Sequence, residues 1–146
     1  MPIRRILVPV DMSEYSRAAL EVAAEIARGC GAELHLMNAY GLSSSDYPYI
    51  AYISPRMERE VVENSRRELE EWTKRFAPGD VSVEQHTSPK EPRLAVLAFA
   101  EEIGADLIVM GTHGRSGFKR MLLGSVAEHT VRASKCPVLT VPLPEA

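Results

Sequence analysis

Glycines spaced as Gly111-Thr112-His113-Gly114, with Gly124-Ser125 ten residues past Gly114, are the feature of this sequence that points most directly to chemistry. They follow the apolar run Leu107 to Met110 and precede a segment patterned as a helix. Glycines after a strand let the chain turn sharply and let a ligand reach the backbone, and a helix N-terminus offers N–H groups and partial positive charge to a phosphate. The pattern therefore reads as a phosphate cradle, or as glycines that each serve a tight turn. Its place beyond the C-terminal end of a central strand, where open α/β sheets take ligands, favours the cradle. The spacing is neither GxxxxGK[ST] nor GxGxxG, which sets aside the P-loop and the dinucleotide fingerprint. Charge agrees: residues 111–135 hold Arg115, Lys119, Arg120, Arg132 and Lys135 against the single acid Glu128, a balance of +4, while the remainder of the chain stands at −7.

Other side chains admit two readings each. Asp11, at the end of a buried run beside a helix start, is placed to accept hydrogen bonds from a ribose or an adenine amino group, or to cap the helix. Arg115, Lys119 and Arg120 screen a triphosphate or form a solvated basic patch. His113 reads as a loop histidine that faces solvent or covers a ligand, ahead of a general base. His35 and His129 read as ordinary strand and helix residues, and His86 has no ligand-like partner near it in sequence. Cys30 and Cys136 form no CxxC or Cys/His spacing, so they read as small buried hydrophobes, with no disulfide framework or zinc site between them.

The elements that must position these residues follow from hydrophobic spacing. Apolar runs of strand length recur at Ile6 to Val10, Leu34 to Ala39, more weakly Val81 to Gln85, Leu107 to Met110 and Val138 to Val141. Helical patterns separate them, and strands joined by helical crossovers pair in parallel. Ser13 caps the first helix, whose Leu20, Ala23, Ala24 and Ala27 make one stripe, with Gly29 and Gly31 at its end. Ser54 and Pro55 start the second, with Met57, Val61, Trp72 and Phe76 on its apolar side, and Pro78-Gly79-Asp80 stops it. The third, Pro92 to Ile103, is apolar over most of its circumference and is expected to be heavily buried. The fourth runs from Ser125 to before Cys136-Pro137. Gly41 to Ile53, with three serines and Tyr47, Tyr49 and Tyr52, is a long connection, either a poorly ordered excursion or a flap over a ligand or partner.

Composition narrows the class. A chain of 146 residues with 45% hydrophobic content suits one domain, residues 1–146, around one core. A net charge of −3 gives no excess to draw the whole molecule to nucleic acid. The longest charge-free stretch, Leu34 to Ser45, is far short of the roughly 20 apolar residues of a membrane span, and the run after Arg4 and Arg5 is too brief for a secretory signal. A cytoplasmic protein that binds neither nucleic acid nor membrane is the expectation.

The glycine pattern Gly-x2-Gly-x9-Gly-Ser resembles that of the nucleotide-binding branch of the universal stress protein family. Nearly the whole chain shares the resemblance, including Ile6-Leu7-Val8-Pro9-Val10-Asp11 with Ser13, Ala105 to Met110 before the loop, Gly124 to Glu128 after it, and Cys136 to Leu139. It departs at Thr87-Ser88-Pro89-Lys90, where the family often has a glycine before a proline, and at Ala39, smaller than the usual valine. The resemblance implies a Rossmann-like three-layer α/β sandwich with a five-stranded parallel sheet of order 3-2-1-4-5, ATP across the ends of strands one and four with Mg2+, and a homodimer. The implied site takes Pro9, Val10 and Asp11 from the first strand end and Ala39 from the second. Met110, Gly111, His113, Gly114 and Arg115 come from the loop, and Gly124, Ser125 and Val126 from the helix start. The expected role is that of a nucleotide-responsive stress protein with slow or no hydrolysis. The alternatives are an ATPase, ATP pyrophosphatase or nucleotidyl transferase on the same fold, for which the loop supplies no second metal-binding carboxylate, and a dimeric scaffold without nucleotide. Val138 to Val141, apolar and bracketed by Pro137 and Pro142, is the strand expected to pair two copies.

Overall fold

Among the described residues nine elements alternate: β1 (Arg5–Pro9), α1 (Glu14–Cys30), β2 (Glu33–Ala39), α2 (Pro55–Phe76), β3 (Val83–Ser88), α3 (Pro92–Ile103), β4 (Leu107–Gly111), α4 (Ser125–Ala133) and β5 (Val138–Val141). The computed structural model describes residues 2–41, 54–115 and 122–143. The tyrosine-bearing connection, Lys119 and Arg120 lie outside the described residues. All strand pairs are parallel and the sheet order is β3-β2-β1-β4-β5.

The central strands are apolar on both faces because helices cover both. Ile6, Val8, Leu34 and Leu36 pack with Ala19, Leu20, Ala23, Ala24 and Ala27 of α1 and with Leu69 and Trp72 of α2. On the opposite face Leu7, Met37, Ile108 and Met110 pack with Ala95, Val96 and Ala100 of α3 and Ala127 of α4. Helix ends match their capping residues. Ser13 Oγ accepts the Ser16 N–H, Ser54 Oγ accepts the Met57 N–H, and Gly31 and Gly104 close α1 and α3 in the left-handed conformation that glycine adopts without a Cβ penalty.

Several expectations are corrected. β3 runs to Ser88, past the predicted end at Gln85, because β2 pairs with it residue by residue as far as Ala39 and Ser88. As an edge strand it tolerates the polar Gln85, His86 and Thr87. The apolar stripe of α2 is buried only toward its C-terminal half, at Leu69 and Trp72, and Met57 is exposed. α3 buries Ala95, Val96 and Ala100 but leaves Leu94 59% exposed, since only one side of the helix meets the sheet and α4. Neither cysteine is buried. Cys30 is exposed beyond the Ala27 end of the α1 stripe, and Cys136 is half-buried in a turn where Ser134 Oγ accepts its N–H at 3.2 Å.

Candidate functional site

β1 and β2 pair over five positions, but β1 and β4 pair only at Ile6 with Leu107 and Leu7 with Ile108. The Val10 N–H donates to Met37 O of β2 and the Asp106 N–H donates to Arg5 O, so even-numbered residues of β1 face β2 and odd-numbered ones face β4. Pro9 therefore faces β4 with no N–H to offer. The seam between the two strands parts there, at the point where the chain turns toward β2 after β1 and toward β5 after β4. Such a switch point opens a crevice outside the carboxyl ends of the strands.

The crevice is a cleft of about 550 Å³, within the usual range for small-molecule sites. All twelve residues expected from the sequence line it: Pro9, Val10, Asp11, Ala39, Met110, Gly111, His113, Gly114, Arg115, Gly124, Ser125 and Val126. So do Ser16, Met37, Pro92, Val96, Ala127 and Glu128, which sequence reasoning missed. Met37 and Val96 are core residues that also reach the cleft, and Pro92 and Val96 enter because α3 packs beside β2 at this end. The apolar lining comes from β2, α3 and Met110, and the polar lining from Asp11, the loop after β4 and the start of α4.

Asp11 holds the two sides together. Its Oδ1 accepts the Ser13 N–H at 3.0 Å and the Ser16 hydroxyl at 2.8 Å, and its Oδ2 accepts the Arg115 N–H at 2.8 Å from 104 residues away. Partial burial opposes its charge, yet the hydrogen bonds from Ser13, Ser16 and Arg115 outweigh burial and hold the carboxyl below its ordinary value of 3.8. A carboxylate has about four acceptor positions, and three are used here, which leaves one on Oδ2. Asp11 braces the start of α1 through Ser13 and Ser16, while the N-cap itself is Ser13. Beside it, Met12 takes a left-handed backbone with φ 65°, the only non-glycine to do so among the described residues.

The glycines at the cleft are required by packing within the protein. None of Gly111, Gly114 and Gly124 has a positive φ. A Cβ on Gly114 would collide with Asp11 Oδ2, one on Gly111 would lie 2.6 Å from Tyr15 Cβ, and one on Gly124 would lie 3.3 Å from Thr112 O and His113 Cα. The side-chain-free positions let the loop close on Asp11, on the start of α1 and on itself; the atoms that exclude a side chain belong to the protein. Gly124 donates its N–H to Thr112 O at 2.6 Å and stands as N-cap of α4 without a side-chain cap, so the first-turn N–H groups of α4 open on the cleft. His113, read from the sequence as facing solvent or covering a ligand, is half-buried on the cleft wall, its Nδ1 3.0 Å from Thr112 Oγ1 and its ring 5.3 Å from that of Tyr15. Arg115 is exposed at the rim.

The sequence model of the family Usp, the universal stress protein family, matches residues 2–142. The chain belongs to this family. It is 32% identical to universal stress protein MJ0531 of Methanocaldococcus jannaschii over 97% of this chain and 84% of that one, and 33% identical to universal stress protein YxiE of Bacillus subtilis over 94% and 97%. Among solved structures, M. jannaschii MJ0577 superimposes with a TM-score of 0.81 at 25% identity over the full length of both chains. A universal stress protein in complex with cAMP superimposes with a TM-score of 0.67 at 27% identity, covering 97% of this chain and 98% of that one. The observed sheet order and helix placement are those of this universal stress protein fold. No helix among the described residues is long and apolar enough to cross a membrane.

Proposed function

We propose that this universal stress protein binds ATP in the cleft at the C-terminal ends of β1 and β4 and works as a nucleotide-responsive factor rather than an efficient enzyme. The observation that carries the reading is the division of one cleft into an apolar side, with Met37, Ala39, Val96 and Met110, and a polar side, with Asp11, Arg115 and the uncapped start of α4. A purine fits the first. A ribose hydroxyl fits the remaining acceptor position of Asp11, and phosphates fit the α4 N-terminus and Arg115. The related protein solved with cAMP supports an adenine nucleotide. Magnesium would accompany the phosphates, bound largely by them and by water, with Glu128 as the nearby acid on the cleft wall.

Hydrolysis needs a water-orienting group beside the γ-phosphate. His113, the titratable side chain of the loop, is turned onto Thr112 and Tyr15. Turnover is therefore expected well below the roughly 10 s⁻¹ of a median enzyme. Equilibrium dialysis with labelled ATP followed by product analysis tests both parts. Saturable binding with little product supports the proposal. Pyrophosphate release identifies a nucleotidyl transferase or pyrophosphatase, phosphate release faster than about 1 s⁻¹ identifies an ATPase, and no retention leaves the scaffold reading. The proposal includes a homodimer through β5, an edge strand whose Leu139 is 38% exposed.

A further inference from the structure

The β2–β3 edge carries a second cluster of chemistry-bearing side chains, away from the cleft. Each strand holds a Glu-x-His triplet, Glu33-Leu34-His35 on β2 and Glu84-Gln85-His86 on β3, and the parallel register sets His35 opposite Glu84. Residues two apart on a strand share a face, so all four side chains meet on the α3 side of the sheet. His35 Nδ1, His86 Nε2 and Glu84 Oε2 form a near-equilateral triangle with edges of 3.2, 3.5 and 3.6 Å.

Those edges have a specific meaning. A zinc ion with ligand bonds of about 2.0–2.1 Å sets neighbouring ligands of a tetrahedron roughly 3.3–3.4 Å apart. A hydrogen bond between the two imidazoles would account for the 3.2 Å edge alone; the two edges to Glu84 are too long for hydrogen bonds and right for one face of a coordination tetrahedron. Independently, Glu33 Oε1 lies 2.9 Å from His35 Nε2 and accepts from Arg5 Nε at 3.2 Å. The acceptor-only carboxylate calls for the ring proton on Nε2, which leaves Nδ1 as the nitrogen on the side of His86 and Glu84. This carboxylate–histidine support is the arrangement that orients metal-bound imidazoles. His35 is buried, the His86 ring is backed by Phe99 of α3 at 4.5 Å, and Glu84 is exposed, so the ligand set is held from within and reached from solvent. Glu102 of α3 adds negative potential at His86.

We infer that His35, His86 and Glu84 form a binding site for a divalent transition-metal ion of the zinc type, with Glu33 as the orienting partner of His35 and a fourth position open to water. Two imidazoles and one carboxylate favour zinc, cobalt, nickel or copper over magnesium or calcium. The site is separate from the cleft, whose lining includes none of the four residues.

The test uses the full chain without a histidine tag, stripped with chelator and free of nucleotide. Zinc is titrated in competition with a chromogenic chelator, and cobalt is followed by its visible spectrum. The expected result is one ion per chain and a tetrahedral cobalt spectrum, with affinity reduced tenfold or more in Glu84→Gln and His86→Gln. Glu33→Gln is expected to weaken binding about 10- to 100-fold while leaving the three ligands in place. His129→Ala, on α4, is the control expected to bind as the parent does. Glu84 is exposed, so Glu84→Gln keeps the test sound should His86→Gln fail to fold, and circular dichroism verifies each variant. Absence of binding at millimolar zinc, or affinity unchanged in the folded Glu84→Gln variant, would overturn the assignment.

Discussion

The two ends of the β1–β4 seam use the same device with opposite results. At the N-terminal end Asp106 Oδ2 accepts the N–H groups of Arg4 and Arg5 at 2.9 and 3.0 Å, and the strands go straight into register. At the C-terminal end Asp11 also accepts a backbone N–H across the seam, that of Arg115, but from a loop, and beyond Leu7 and Ile108 the strands part. Both carboxyls lie below the usual carboxylate value, Asp106 through the Arg4 and Arg5 N–H groups and Asp11 through bonds that overcome its burial. What separates the two ends is the missing N–H of Pro9 and the three glycines that let the loop settle on Asp11 and Tyr15. A carboxylate clamp closes a seam when the neighbouring residues continue the ladder, and frames a cleft when they do not.

The largest effect is expected from Gly114→Val, which forces a side chain against the Asp11 carboxylate. Overpacking of this kind costs about 1–3 kcal/mol, and ATP affinity should fall tenfold or more. Calorimetric titration gives the affinity and denaturant unfolding the stability. A double-mutant cycle sharpens the cause: in an Asp11→Ala background, Gly114→Ala should lose most of its stability penalty. An unchanged penalty would mean that Asp11 does not set the need for glycine.

Next in size is the contrast between Asp11→Asn and Asp106→Asn. The first should weaken ATP by about tenfold, since an amide cannot accept at both ends from Ser13, Ser16 and Arg115 and still serve a ligand. The second should leave ATP affinity unchanged and lower stability by about 1 kcal/mol or less. Equal effects on ATP would erase the distinction between the two ends.

Acidification gives a smaller signature. Because the folded-state value of Asp11 lies below 3.8, its contribution to stability is fully present above that pH and is lost as pH falls through the lower folded value. Unfolding curves across the acid range should show this loss reduced in Asp11→Asn. Smallest at either end of the seam is Leu139→Lys on β5, which should convert a dimer to a monomer in sedimentation while leaving ATP affinity unchanged. Leu139 is the clean probe, since Val141 is buried in the core beside α1. A parent chain that sediments as a monomer at micromolar concentration would remove the β5 interface.

The cleft was legible because breakers mark it. Gly111, Gly114, Gly124 and Pro9 are residues whose presence in or after an apolar run demands a reason, and the family resemblance supplied the sheet order. The physical reason for the glycines was not legible, since the partner of Gly114 is 103 residues away in Asp11 and only the fold brings them together. The polar end of β3 escaped notice because edge strands need no apolar pattern. The Glu-x-His pairs escaped for the same reason, although the spacing of two in both triplets was a signal available once β2 and β3 were known to be neighbours. Leu94 and Cys30 misled in the other direction: apolar character alone does not say which side of a helix meets the sheet.

The most direct test is to titrate ATP into isotopically labelled protein and follow the backbone amides. Saturation at one ATP per chain, with the largest shifts at Gly114, Arg115, Ser125 and Val126 and none at Arg4, Arg5 and Asp106, is the expected result. Saturable binding that leaves the first four amides unmoved, or no binding at millimolar ATP, would contradict a nucleotide site at the open end of the seam.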